Sequence, residues 1–150
     1  FVVDPGLASV ADAGIALYTV GTIKDSTNGR RYVSVEGGMG DNIRPAIYQA
    51  EYAALIANKA GAEKTEGERI AGRYCESGDI LIQECMLPPC ARGDVLAVFS
   101  TGAYGFSMFM GYNRVARPGV VLVKDGASAV MVERQSLPQI VEGDRMPEWL

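Results

Sequence analysis

Turn signals cut this chain into short apolar runs, and that punctuation limits its possible folds more than any other feature. Asn28-Gly29 separates a strand-like stretch, Ile15 to Lys24, from Tyr32-Val33-Ser34-Val35, and Asn-Gly supports the positive backbone angles of tight hairpins. Asp125-Gly126 divides 119–124 from 127–134 in the same way. Further strand-like runs recur around 68–74, 79–84 and 93–99, with Ser77-Gly78 and Gly93-Asp94 marking turns. About eight short strands with little helix predict a mainly β fold, a Greek-key-like barrel or sandwich with a few short helices.

The remaining segments are shorter and less regular. Phe1-Val2-Val3 reads as the end of a buried strand belonging to something larger, turned by Asp4-Pro5-Gly6. Residues 7–13 then suit one or two helical turns closed by Gly14 as a C-terminal glycine. Glu36 to Asn42 holds glycines at 37, 38 and 40, but lacks the lysine of a phosphate-binding P-loop, so it reads as a bend. Pro45 biases Arg44 away from helix, and an extended backbone would put Arg44, Ala46 and Tyr48 on one face. For residues 51–60, local propensity says helix and position between strands says strand. Gly61 to Gly67 is a polar loop. Ser136 and Pro138 suit the start of a short helix running to Val141.

Composition removes several function classes. At 150 residues the chain is one domain by length. Its net charge is −4 and no Lys/Arg cluster exceeds two neighbours, which argues against nucleic acid or an anionic membrane as partner. No apolar run approaches 18 residues and no secretory leader opens the chain, so a cytoplasmic setting is expected. Without histidine, the chain cannot itself form a Ser-His-Asp triad, a Cys-His pair or a histidine metal site, and no metal is expected. Cys75, Cys85 and Cys90 are odd in number, against a disulfide framework. Cys85 and Cys90 read as reduced, small apolar residues. Lys24, Lys59, Lys64 and Lys124 fall in or beside polar turns and should be solvated.

The segment 73–79, Arg-Tyr-Cys-Glu-Ser-Gly-Asp, concentrates chemistry between two strand-like runs. Its Ser-Gly turn should project Cys75 and Glu76 from a loop, where binding groups concentrate, while Asp79 suits a turn cap. Taken with Asp-Asn-Ile-Arg-Pro-Ala-Ile-Tyr at 41–48 and Gly-Ala-Tyr-Gly-Phe-Ser-Met at 102–108, this segment resembles the C-terminal portion of diaminopimelate decarboxylases. These are pyridoxal-phosphate enzymes of alanine-racemase-like fold. The resemblance runs in order along nearly the whole chain.

The likeness implies that residues 1–13 end a preceding TIM-like barrel carrying the Schiff-base lysine, and that 14–150 form the C-terminal β-domain. The chain alone would then be inactive. It implies pyridoxal phosphate as cofactor, with the backbone at Gly6 and Leu7 holding its phosphate and Tyr104 contacting phosphate and substrate. Arg44 and Tyr48 would bind the distal carboxylate of diaminopimelate. Across a homodimer with shared sites, Glu76 would pair with the distal ammonium and Cys75 would assist protonation. The family's Glu-Pro-Gly-Arg reads Asp4-Pro5-Gly6-Leu7 here, so Arg44 would act without a second arginine. Alternatives are a decarboxylase of arginine, ornithine or a polyamine precursor, which usually has aspartate after the loop cysteine, and a non-catalytic interaction module.

Overall fold

Alternation of inward apolar and outward polar residues builds the first hairpin. In β1 (Ala16–Asp25) Tyr18 and Val20 point into the core, and in β2 (Arg31–Val35) Val33 and Val35 do so. The two strands pair antiparallel, with Ile23 opposite Val33, and Gly29 turns the chain at φ 78°. The computed structural model describes residue 2 and residues 5–150, which divide into two units, Phe1–Phe109 and Met110–Leu150. The strand-end reading of Phe1-Val2-Val3 and the turn at Asp4 involve positions 1, 3 and 4, which lie outside the described residues.

The first unit continues with β3 (Ala54–Ile56), β4 (Glu66–Ala71), β5 (Ile80–Leu87) and β6 (Val95–Val98). Its six strands run in the order β3-β6-β1-β2-β4-β5. The edge strands β3 and β5 meet, so the sheet curls into a nearly closed barrel. Closure matters because an open edge exposes unpaired backbone groups. β2 and β4 are parallel, a pairing that requires a crossover; residues 36–65 supply it. The interior is filled by Val20, Val33, Ile56, Ile70, Leu87 and Leu96, each worth roughly 1.5–3 kcal/mol when fully buried.

In the second unit, β7 (Val120–Lys124) and β8 (Ala127–Val132) form the expected hairpin. Asp125 and Gly126 both have positive φ, 50° and 77°, as a tight type I′ turn requires. A short helix, Leu137–Val141, begins at Ser136, whose N–H donates to the Gln139 side chain at 2.8 Å in a capping box.

Two expectations are corrected and one is refined. Residues 44–48 are not extended: after α1 (Gly6–Val10), the next helix, α2, is Arg44–Tyr48. A proline is tolerated in a first helical turn, where its missing N–H would find no intrahelical partner. Gln49, at φ 54°, closes that helix by donating to Arg44 and Pro45 carbonyls. Arg44 and Tyr48 still share a face, because they are four apart on a helix; Ala46 does not. Gly14 ends the helical turns as expected, capping the 3-10 turn Ala11–Ala13, but its backbone is extended rather than left-handed. Lys59 is tied to Asp94 at 2.7 Å and to the Pro89 carbonyl at 2.9 Å rather than simply solvated. The ambiguous 51–60 stretch resolves into β3 followed by a 3-10 turn, Ala57–Lys59.

One end of the barrel interior carries an uneven charge cluster. Arg31 lies 3.0 Å from Glu66 and 3.3 Å from Glu68, whose side chain has no solvent exposure. Burial pushes the Glu68 carboxyl above its usual range; Arg31 opposes this and neighbouring Glu66 reinforces it. The native chain therefore holds the Glu68 proton more tightly than the unfolded chain does. That stability is present below the ordinary carboxylate pKa and is lost as pH rises through the folded value. Thermal unfolding should show a higher midpoint at pH 5 than at pH 8. Glu68→Gln should flatten that slope, each kcal/mol appearing as roughly 2–4 °C in a chain this size. An unchanged slope would assign the pH dependence to another group.

Candidate active site

The strand directions bring the chemistry-bearing segments to one end of the barrel. Ala16 pairs with Val98, Val20 with Val35, Ser34 with Ala71 and Ala54 with Val98. The segments before β1 and β3 and after β2, β4 and β6 thus emerge together. They carry α1, Tyr52, the glycine-rich bend with α2, the Cys75-Glu76 loop and the Tyr104 turn.

Two backbones touch where α1 meets the turn after β6. A Cβ on Gly14 would fall 2.2 Å from the Gly102 Cα, and one on Gly102 would fall 2.0 Å from the Val10 carbonyl oxygen. Gly102 N–H donates to the Ala11 carbonyl at 2.9 Å, Thr101 N–H to Gly14 at 3.0 Å, and the Ser100 hydroxyl to Asp12 at 2.6 Å. Ser100 and Tyr104 are held at φ 56° and 65°, a left-handed geometry costing about 1–2 kcal/mol in a residue with a Cβ. Such strain clusters at ligand sites. It presents the half-exposed Tyr104 ring beneath Arg44, whose guanidinium lies 5.4 Å from the ring centroid. Arg44 also reaches the Tyr52 hydroxyl at 3.5 Å.

Leu7, Ala8, Asp12, Arg44, Tyr52 and Ser100 line a cleft of about 460 Å³, together with Ala11, Ala50 and Glu51. The structure therefore brings Leu7 and Arg44 together in the cleft wall, with Tyr104 against Arg44; Gly6 adjoins Leu7 at the start of α1, but neither it nor Tyr104 lines the cleft itself. A cation stacked on a phenol ring beside a helix start suits an anionic group attached to a planar ring. Tyr48 is exposed one helical turn beyond Arg44, and Cys75 and Glu76 are exposed at a loop tip; these three do not line the cleft. Sequence reading missed Tyr52 and the Asp12–Ser100 pair, because lone polar residues in loops carry no spacing signal. Gly14 and Gly102 offered a weak one, since paired small residues permit close backbone approach.

Beneath the cleft end lie two carboxylates, the buried Asp79 and the partly buried Asp41. The Tyr18 hydroxyl donates to Asp41 at 2.5 Å, and Gly38 N–H donates to the other Asp41 oxygen at 2.9 Å. Burial, reinforced by Asp41, holds the Tyr18 hydroxyl well above the usual tyrosine range. Burial likewise pushes Tyr74 up to about 12. Cys85 and Cys90 are reduced, and burial raises each thiol to about 11, which keeps them protonated and unreactive.

Residues 1–102 match the model of the pyridoxal-dependent decarboxylase C-terminal sheet domain. The chain belongs to that family. The diaminopimelate decarboxylase of Bacillus subtilis is 51% identical over 95% of this chain, and that of Staphylococcus aureus 46% identical over 95%. A crystal structure of diaminopimelate decarboxylase from M. jannaschii in complex with L-lysine superposes with TM-score 0.87 at 34% identity. It covers 93% of this chain and 32% of that one. The chain spans about a third of the length of the curated relatives it matches, 32% for the Bacillus subtilis protein. The mainly β sheet domain expected from the turn pattern is thus a pyridoxal-dependent decarboxylase sheet domain. Among its described residues no helix is long and apolar enough to cross a membrane.

The close approach at Gly14 and Gly102 predicts a position-specific cost. Gly102→Ala should destabilise the sheet domain by roughly 1–3 kcal/mol, as overpacking does. Gly61→Ala, in open space, should stay within about 0.5 kcal/mol. Denaturant unfolding of the two variants checks the contrast, and equal losses would contradict it.

Proposed function

We propose that this chain is the C-terminal part of a decarboxylase that converts meso-diaminopimelate to lysine and carbon dioxide with pyridoxal phosphate. One observation carries the reading: Arg44, which lines a cleft together with Leu7 of α1 and stacks on Tyr104, in a chain about half identical to a diaminopimelate decarboxylase. The cleft fits the cofactor in kind: Leu7 in its wall brings first-turn backbone, with Gly6 just before it, to hold a phosphate, and the Tyr104 ring lies against the cleft's Arg44. When bound, pyridoxal phosphate supplies a ring that accepts the electron pair left as carbon dioxide departs. Residues 1–13 are read as the end of the preceding barrel, which would hold the cofactor-bearing lysine; the chain alone would then not turn over.

The residues of this chain bind and orient. Arg44 offers a planar, forked donor that suits a carboxylate, and its stacking on Tyr104 fixes the fork's direction. Tyr48 adds a hydroxyl on the same helical face. Cys75 and Glu76 are exposed and do not line their own cleft, and we assign them to the neighbouring subunit's site in a homodimer. There Glu76 pairs with the distal ammonium and Cys75 holds or delivers a proton near the reacting carbon. A cytosolic setting fits this soluble small-molecule chemistry.

A second reading has one observation in its favour. Leu7 lines the cleft where the resemblance calls for an arginine, as suits a substrate ending in a bare amine such as ornithine. Steady-state kinetics on the complete gene product separates the two. Arg44→Ala should lower the specificity constant for diaminopimelate by about ten- to a hundredfold, the 1.5–3 kcal/mol worth of a charged hydrogen bond, with a much smaller effect on ornithine. Equal losses on both substrates would contradict the assignment of Arg44, and turnover of ornithine alone would favour the second reading.

A further inference from the structure

One buried side chain touches both loops that carry proposed site residues. Asp79 is 3% exposed. One of its carboxylate oxygens accepts Met39 N–H at 2.7 Å, and the other accepts Tyr74 N–H at 2.8 Å. The backbone adds a third tie, from Arg73 N–H to the Gly37 carbonyl at 2.9 Å. The fit is close on both sides: a Cβ on Gly38 would lie 2.5 Å from the carboxylate, and one on Gly72 2.1 Å. Hydrogen bonds to an ionised acceptor are among the stronger ones a fold can make, and these two join segments 40 and 5 residues distant from Asp79 in sequence. The bend at 37–42 then runs directly into α2, with Asn42 N–H bonded to the Gly38 carbonyl at 3.0 Å and Ile47 N–H to Ile43 at 3.2 Å.

We infer that Asp79 is a positioning residue, which locks the Cys75-Glu76 loop and the segment leading to Arg44 into one unit. The chain then presents its own cleft arginine and its partner-directed carboxylate in fixed relation. This rests on the roles proposed above for Arg44 and Glu76. Asparagine at 79 would keep the shape, but its amide nitrogen is a donor and cannot accept the second N–H.

Two measurements on the complete gene product test it. In hydrogen exchange, Asp79→Asn should speed exchange about tenfold or more in both 37–42 and 72–79, as loss of local protection does, while leaving β1 and β6 unchanged. Faster exchange in one loop alone would overturn the inference. In a double-mutant cycle, Asp79→Asn should cost about tenfold in kcat in the wild-type background and only about threefold when Glu76 is already alanine, because the share acting through Glu76 is gone while the share acting through Cys75 and Arg44 remains. Equal losses in both backgrounds would overturn it, since a purely structural role would act in both. Should Asp79→Asn fail to accumulate, Gly72→Ala strains the same clasp. A wild type with no turnover of diaminopimelate would sink the functional reading instead, and the exchange result would then decide the role of Asp79.

Discussion

Strand β1 pairs on both edges, with β2 and with β6, and the candidate site depends on that double pairing. Because β1 runs antiparallel to both neighbours, the segment entering it and the segments leaving its partners share one end of the barrel. The parallel β2–β4 pair brings the 72–79 loop to the same end. β1 also supplies Tyr18, whose hydroxyl anchors Asp41 under the glycine-rich bend. Strand direction, fixed by ordinary backbone hydrogen bonding, thus does most of the work of assembling residues scattered from position 6 to position 104.

The chemistry at that end separates into two kinds. Groups that face solvent or the cleft, such as Arg44, Cys75 and Glu76, are poised to meet a ligand or another chain. Beneath them, Tyr18 and Asp79 are buried and Asp41 is partly so, and the carboxylates spend their hydrogen-bonding capacity on loop backbone and the Tyr18 hydroxyl. Burial raises the carboxyls of Asp41 and Asp79 above their usual range, against the pull of their hydrogen bonds. Such groups set geometry more readily than they exchange protons with a substrate, which is why the catalytic proposals rest on the exposed tip rather than on this layer.

Much of this was legible in the residues. Asn28-Gly29, Asp125-Gly126 and Ser136 with Pro138 each formed the turn or helix start that their chemistry calls for, because those motifs act through neighbouring atoms alone. The motifs at 41–48, 75–79 and 102–108 pointed to the family that the sheet-domain match then established. What failed was local inference where tertiary context decides. Pro45 alone suggested extension, yet at the start of a helix it loses nothing, and the left-handed Gln49 finishes the turn. Gly14 does end the helical turns, but the need for glycine there is set by Gly102, 88 residues away in sequence, against whose backbone it packs. Tyr52 gave no signal because its partner, Arg44, lies across an irregular segment with no period to count.

In the proposed dimer each chain keeps Arg44 for its own site and lends Cys75 and Glu76 to its neighbour. Subunit mixing tests it most directly. One inactive full-length variant lacks the cofactor-bearing lysine of the barrel, and the other carries Cys75→Ala with Glu76→Ala. A mixed dimer would hold one site with both defects and one with neither, so random exchange should restore about a quarter of the wild-type sites, as two-fold symmetry requires. Activity that stays at background after exchange is demonstrated would mean that the loop serves its own subunit, and the shared-site account would be wrong.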